Sequence, residues 1–106
     1  MGEIMATTKI EVQACDNELY ILASQPAGSS ELLHIKSGYN NPVSNIFVPQ
    51  SILPKGNYTL IMVGINWGGP QGFKVIVTTN GTPTTYQAPA GTNIGATWTV
   101  AVPMTV

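Results

Sequence analysis

One imidazole and one thiol, His34 and Cys15, are the only side chains in this sequence from which a nucleophile–base pair of that kind could be built. Imidazole can draw the thiol proton when the two groups meet. Cys15 ends one strand-like segment beside a turn, and His34 sits in the middle of another, so nothing in their spacing brings them together. The expectation is a small buried thiol and an ordinary surface histidine sharing a face with Leu32 and Lys36. The carboxylates are Glu3, Glu11, Asp16, Glu18 and Glu31. A glycosidase needs two facing carboxylates at a defined separation. Asp16 and Glu18 stand two apart across a turn, where a turn-former and a solvated strand start are expected instead. Asp16, Asn17 and Glu18 supply too few oxygens for calcium without an EF-hand loop, and one Cys with one His is too few for zinc. No Gly-x-Ser-x-Gly elbow, P-loop or dinucleotide fingerprint occurs. These inventories predict a chain that is not an enzyme and carries no metal and no cofactor.

Recognition chemistry is better supplied. Asn66-Trp67-Gly68-Gly69-Pro70-Gln71 places an indole, two amides and two glycines between two strongly strand-like segments. Glycine lets a backbone approach a ligand closely, an indole can stack on the C–H face of a sugar, and amides pair with hydroxyls without charge. Tyr39, Asn40 and Asn41 in one neighbouring loop, and Asn93 in another, add similar groups. The predicted ligand-binding residues are therefore Trp67, Asn66, Gln71, Tyr39, Asn40, Asn41 and Asn93. The competing reading of Trp67 is a plug that closes the open end of the fold, since tryptophan is highly buried on average; Trp98, on an alternating segment, is read as core.

Charge narrows the partners. Only 8% of the residues are Asp, Glu, Lys or Arg, against roughly 25% in an average domain. There is no arginine, and the four lysines are scattered, so the basic stripe that nucleic acid demands is missing. The expected partner is a neutral glycan, or a protein surface that includes a second copy of the chain. Few surface charges also leave strand edges poorly protected, and Thr78, Thr82, Thr84, Thr97 and Thr99 suggest an uncharged face for self-assembly. No apolar run approaches the roughly 20 residues of a membrane-spanning helix, and no signal peptide is legible at the N-terminus. The location expected is cytoplasmic, or exported by a route that uses no such signal.

The elements that must position these groups read as strands. Short alternations bounded by Gly, Pro, Asn and Ser cover Lys9 to Ala14, Glu18 to Ser24, Glu31 to Lys36, Asn45 to Val48, Asn57 to Ile65, Phe73 to Thr79, Thr82 to Gln87 and Thr97 to Val102. Gln25 to Ser30 reads as a loop, and Pro49 to Leu53 as one helical turn at most. Asn80-Gly81 is a strong type I′ hairpin signal, and it explains Asn80-Gly-Thr82 as well as a glycosylation motif does; Asn57-Tyr-Thr59 likewise reads as strand. Asn57 to Ile65 is apolar on both faces and is expected at the centre, pairing with Phe73 to Thr79. The stretch Leu53 to Val77 resembles bacterial all-β adhesive or secreted modules, in which a Pro-x-Gly-x-Tyr-x-Leu turn-and-strand (here Pro54 to Leu60) is common; the pattern implies a turn into a strand and no function. The fold class predicted is all-β: an antiparallel β-sandwich, jelly-roll or Ig-like, of seven to eight short strands. Residues 1–6 are expected as a flexible N-terminal extension and 7–106 as the single domain.

Overall fold

A computed structural model describes residues 6–38 and 43–106. The eight strands are β1 (Thr7–Asp16), β2 (Glu18–Gln25), β3 (Gly28–Lys36), β4 (Asn45–Phe47), β5 (Asn57–Asn66), β6 (Gly72–Thr79), β7 (Thr82–Gln87) and β8 (Gly95–Thr105), with one 3-10 turn at Pro49–Ser51. They form two four-stranded sheets in the orders β4-β1-β6-β7 and β3-β2-β5-β8, antiparallel throughout. The predicted antiparallel sandwich is therefore what the chain forms. Of the expected extension, residues 1–5 lie outside the described residues; Ala6 leads into β1, its carbonyl accepting the Asn80 N–H at 3.1 Å.

Alternation explains the core. Ile10 and Val12 of β1, Leu19 and Ile21 of β2, Leu60 and Met62 of β5, and Phe73 and Val75 of β6 are fully buried and meet between the sheets. Burying each such side chain favours folding by about 1.5–3 kcal/mol. Trp98 joins them as expected, stacked on Phe73 with ring centroids 5.6 Å apart. The Asn80-Gly81 hairpin also forms: both residues have positive φ, 52° and 78°, and Thr79 pairs with Thr82 across the two-residue turn.

Three expectations are corrected. Gln25 to Ser30 is not a loop: the chain turns at Pro26-Ala27 alone and β3 starts at Gly28, paired with Gln25. Serine and glycine are poor strand signals, yet the ladder accommodates them, and Ser29 bonds Ser24 hydroxyl to hydroxyl at 3.0 Å. More consequentially, β5 does not pair with β6. β5 is central, as expected, but lies between β2 and β8, whereas β6 lies between β1 and β7 in the other sheet. Both strands carry apolar residues on the inward face, so alternation alone cannot separate edge-to-edge pairing from face-to-face packing. The Trp67 loop is thus a crossover between sheets rather than a hairpin. The Thr-rich residues do not share one face either. Thr97 and Thr99 belong to β8, while Thr78 lies opposite Pro83 on the outward side of β6, the opposite parity to the Thr82 and Thr84 positions.

At Gly64 of β5 the opposite sheet comes into close contact. A Cβ there would fall 2.8 Å from the Phe73 ring, so Gly64→Ala must displace the ring that supports Trp98. The expected cost is about 1–3 kcal/mol, the usual range for overpacking a core, read as a lower denaturation midpoint at an unchanged m-value.

Candidate functional site

β1 passes into β2, and β5 into β6, at the same end of the sandwich, and a cluster of polar and aromatic side chains forms there. Its centre is Glu18, the first residue of β2, which is buried. Oε1 accepts the Trp67 indole N–H at 2.9 Å. Oε2 accepts the Tyr20 hydroxyl at 3.2 Å and a hydrogen bond from His34 Nε2, with the Lys36 ammonium 4.0 Å away. The imidazole lies flat on the Tyr20 ring, centroids 4.0 Å apart. The local sequence explains the gathering. Glu18 and Tyr20 alternate onto the outward face of β2, His34 and Lys36 onto that of β3, and the ladder sets Glu18 opposite Lys36 and Tyr20 opposite His34.

These contacts correct two expectations. Glu18 is not a solvated strand start, because the Trp67 indole reaches across from the end of β5 and closes over it. His34 is not an ordinary surface residue, although its side chain remains 34% exposed. The cationic and hydrogen-bonding neighbours hold Glu18 below the usual carboxylate range, the His34 bond first and the Trp67 bond second. Burial, and then the Glu18 charge, push Tyr20 up.

Trp67 is 64% exposed, so it does not plug the fold. It is nevertheless fixed twice: the ring by Glu18, and the backbone N–H by Asn17 Oδ1 at 2.8 Å. The other predicted residues divide. Asn66 is fully buried, and its amide is spent inside the protein. Nδ2 donates to the carbonyls of Gly69 and Asn93, both at 2.8 Å, and Oδ1 accepts the Gly68 N–H at 3.2 Å. Gln71 Nε2 donates to the Pro89 carbonyl at 2.7 Å, its backbone N–H to that of Gly91 at 2.9 Å, and its Oε1 accepts the Thr97 hydroxyl. These two amides tie the Trp67 loop to the loop before β8; they shape the site instead of reaching out of it. Asn93 is exposed on that second loop, next to Ile94, which is 72% exposed. Tyr39, Asn40 and Asn41 lie outside the described residues.

Below the cluster, Cys15 is buried and points between the sheets, its thiol 3.5 Å from the Ile35 carbonyl. Burial, with the charges of Asp16 and Glu18, pushes the thiol up to about 12. His34 faces the other way, so the two never form a pair. Asp16 is also buried, and neither of its oxygens has a hydrogen-bond partner; burial raises its pKa. Among the described residues no three His, Cys, Asp or Glu side chains gather as metal ligands, and no helix is long and apolar enough to cross a membrane.

The two carboxylates should titrate with opposite consequences. A lowered folded-state pKa means that the stability contributed by Glu18 is present at neutral pH and lost as pH falls through that value. Trp67 should therefore lose its anchor only below the ordinary carboxylate range, seen as a change in tryptophan emission that Glu18→Gln shifts or removes. A raised pKa at Asp16 acts the other way, destabilising the fold as pH rises through it. Asp16→Asn should flatten that part of the curve of unfolding free energy against pH. The fold and this cluster are the basis for any functional reading, because no protein-family model, curated protein or solved structure matches the chain.

Proposed function

We infer that the chain is a non-enzymatic, lectin-like module that recognises a neutral carbohydrate through the loops at the Glu18 end, with Trp67 as the stacking surface. The observation that carries this reading is the state of the indole: widely exposed, yet held at its ring nitrogen by Glu18 and at its backbone by Asn17. An exposed aromatic ring that is already ordered loses little conformational freedom on binding. Aromatic rings also supply large amphipathic contact area at interfaces. The Glu18 charge is met by His34 and Lys36, so the cluster presents little net negative charge to a ligand. Asn93, exposed on the loop that Asn66 ties to the Trp67 loop, stands nearby to bond hydroxyls. A binding role also fits Cys15, whose buried thiol is far from the thiolate that nucleophilic chemistry requires.

A glycan array followed by titration calorimetry tests the reading. Trp67→Ala should weaken binding of the best neutral glycan at least tenfold, as hot-spot aromatics do, in a chain that stays folded with a thermal midpoint lowered only by the loss of the hydrogen bond to Glu18. Trp67→Phe should keep part of the affinity. Undiminished binding by Trp67→Ala, or an array that captures no neutral sugar, would sink it.

A further inference from the structure

The two outward faces of the sandwich are dressed differently. On the β4-β1-β6-β7 sheet, the outward positions include Lys9, Glu11 and Lys74. On the β3-β2-β5-β8 sheet, the outward rungs run Tyr20–Val63–Thr99 and Leu22–Ile61–Ala101, with Ile65 beyond. Neither β5 nor β8 carries a charged residue. Tyr20, Leu22, Ile61, Val63 and Ile65 are half-buried by one another and stand apart from the hydrophobic core. Alternation in water calls for polar residues at such positions, so this face is built to be covered.

We propose that this face is covered by a second copy of the same chain, packed sheet on sheet about a two-fold axis that runs across the strands. Area and charge both support that occupant. Four strands about 4.8 Å apart and ten residues long at about 3.3 Å each make a face of roughly 600 Å². Two copies then bury roughly 1,200 Å² in total, which clears the size of a specific interface.

The charges are self-complementary. Apart from the enclosed Glu18, the charged residues on this face are Lys36 and Glu31, both exposed and both on the outer strand β3. Lys36 lies on the Glu18 rung and Glu31 on the Leu22 rung. The point midway between them falls on the Tyr20–Val63 rung, between Ile61 and Ile65 and so in the middle of the apolar patch. A two-fold axis there lays each Lys36 over the partner copy's Glu31, the two Val63 rungs over each other and each Ile61 rung over an Ile65 rung, as an isologous interface requires. It also sets the two Trp67 loops on opposite sides of the axis.

Sedimentation velocity from micromolar to millimolar chain tests this, with the thermal midpoint as the folding control. The native chain should reach twice the monomer mass. Val63→Glu should remain monomeric across the range, while Ile76→Lys, on the outward face of the other sheet, should dimerise as the native chain does. Should Val63→Glu not fold, the exposed pair decides. Lys36→Glu and Glu31→Lys should each weaken dimerisation several-fold by setting like charges together, and the double reversal should restore it. A native chain that stays monomeric at millimolar concentration overturns the proposal. So does a double reversal that dimerises no better than the single ones, or dissociation by Ile76→Lys with none by Val63→Glu.

Discussion

A carboxylate withdrawn from water has to be given back its hydrogen bonds, and at Glu18 that requirement organises one whole end of the protein. Three ring-bearing side chains from three strands or their ends meet its two oxygens: Trp67 on one, Tyr20 and His34 on the other. An ionised carboxylate is acceptor-only, with room for about four donors. Each partner therefore presents a fixed edge to Glu18, which fixes the plane of its ring as well. Two residues earlier, Asp16 shows the alternative outcome for the same functional group. It is equally buried but unpartnered, and burial drives it toward the neutral form instead of toward a network. The contrast is one of surroundings: Glu18 opens onto a face with donors, Asp16 onto none.

The scaffold under Trp67 is as constrained as its tip. Its loop leaves β5 two residues after the close approach of Gly64 to Phe73, and Phe73 in turn stacks on Trp98 of β8. Asn66 and Gln71 then bind the crossover to the loop preceding β8 through backbone carbonyls. A chain with so few charges cannot order such loops with ion pairs. The buried amide of Asn66 and the half-buried one of Gln71 do the same task here, and each is satisfied on both its donor and acceptor sides, which is what makes such a polar network rigid rather than costly.

Much of this fold is legible as period-two alternation, and all eight strands were readable to within a few residues, including the short β4 and the Asn80-Gly81 hairpin. Pairing was not. The five residues between β5 and β6 could close a wide hairpin or cross to the other sheet, and the crossover seats Phe73 against the bare backbone of Gly64. The Glu18 cluster was hidden by a subtler feature. A two-residue turn at Pro26-Ala27, continued without interruption, would set Glu18 opposite Ile35 and turn His34 toward the core. The register shift between Ile21 and Leu22 moves the pairing by one, and a one-residue slip exchanges the two faces of a strand. Nothing in Leu32-Leu33 announces that bulge. Asn66 and Gln71 were visible as loop amides, but residue type does not say whether an amide faces a ligand or its own backbone.

Scarcity of charge looks at first like a property of the whole surface, yet its distribution is uneven in a way that matters more. Lys9, Glu11 and Lys74 lie on one sheet, whereas β5 and β8 of the other have no charged residue at all. Two charges that do face outward beside them sit on β3, at the margin. The third, Glu18, is enclosed by its own partners. A sheet that places apolar residues on both faces of its central strand while its neighbour alternates normally is not economising on charge in general. It is withholding charge from the face proposed here to meet a second copy, and the ordered indole lies at the end of that same central strand.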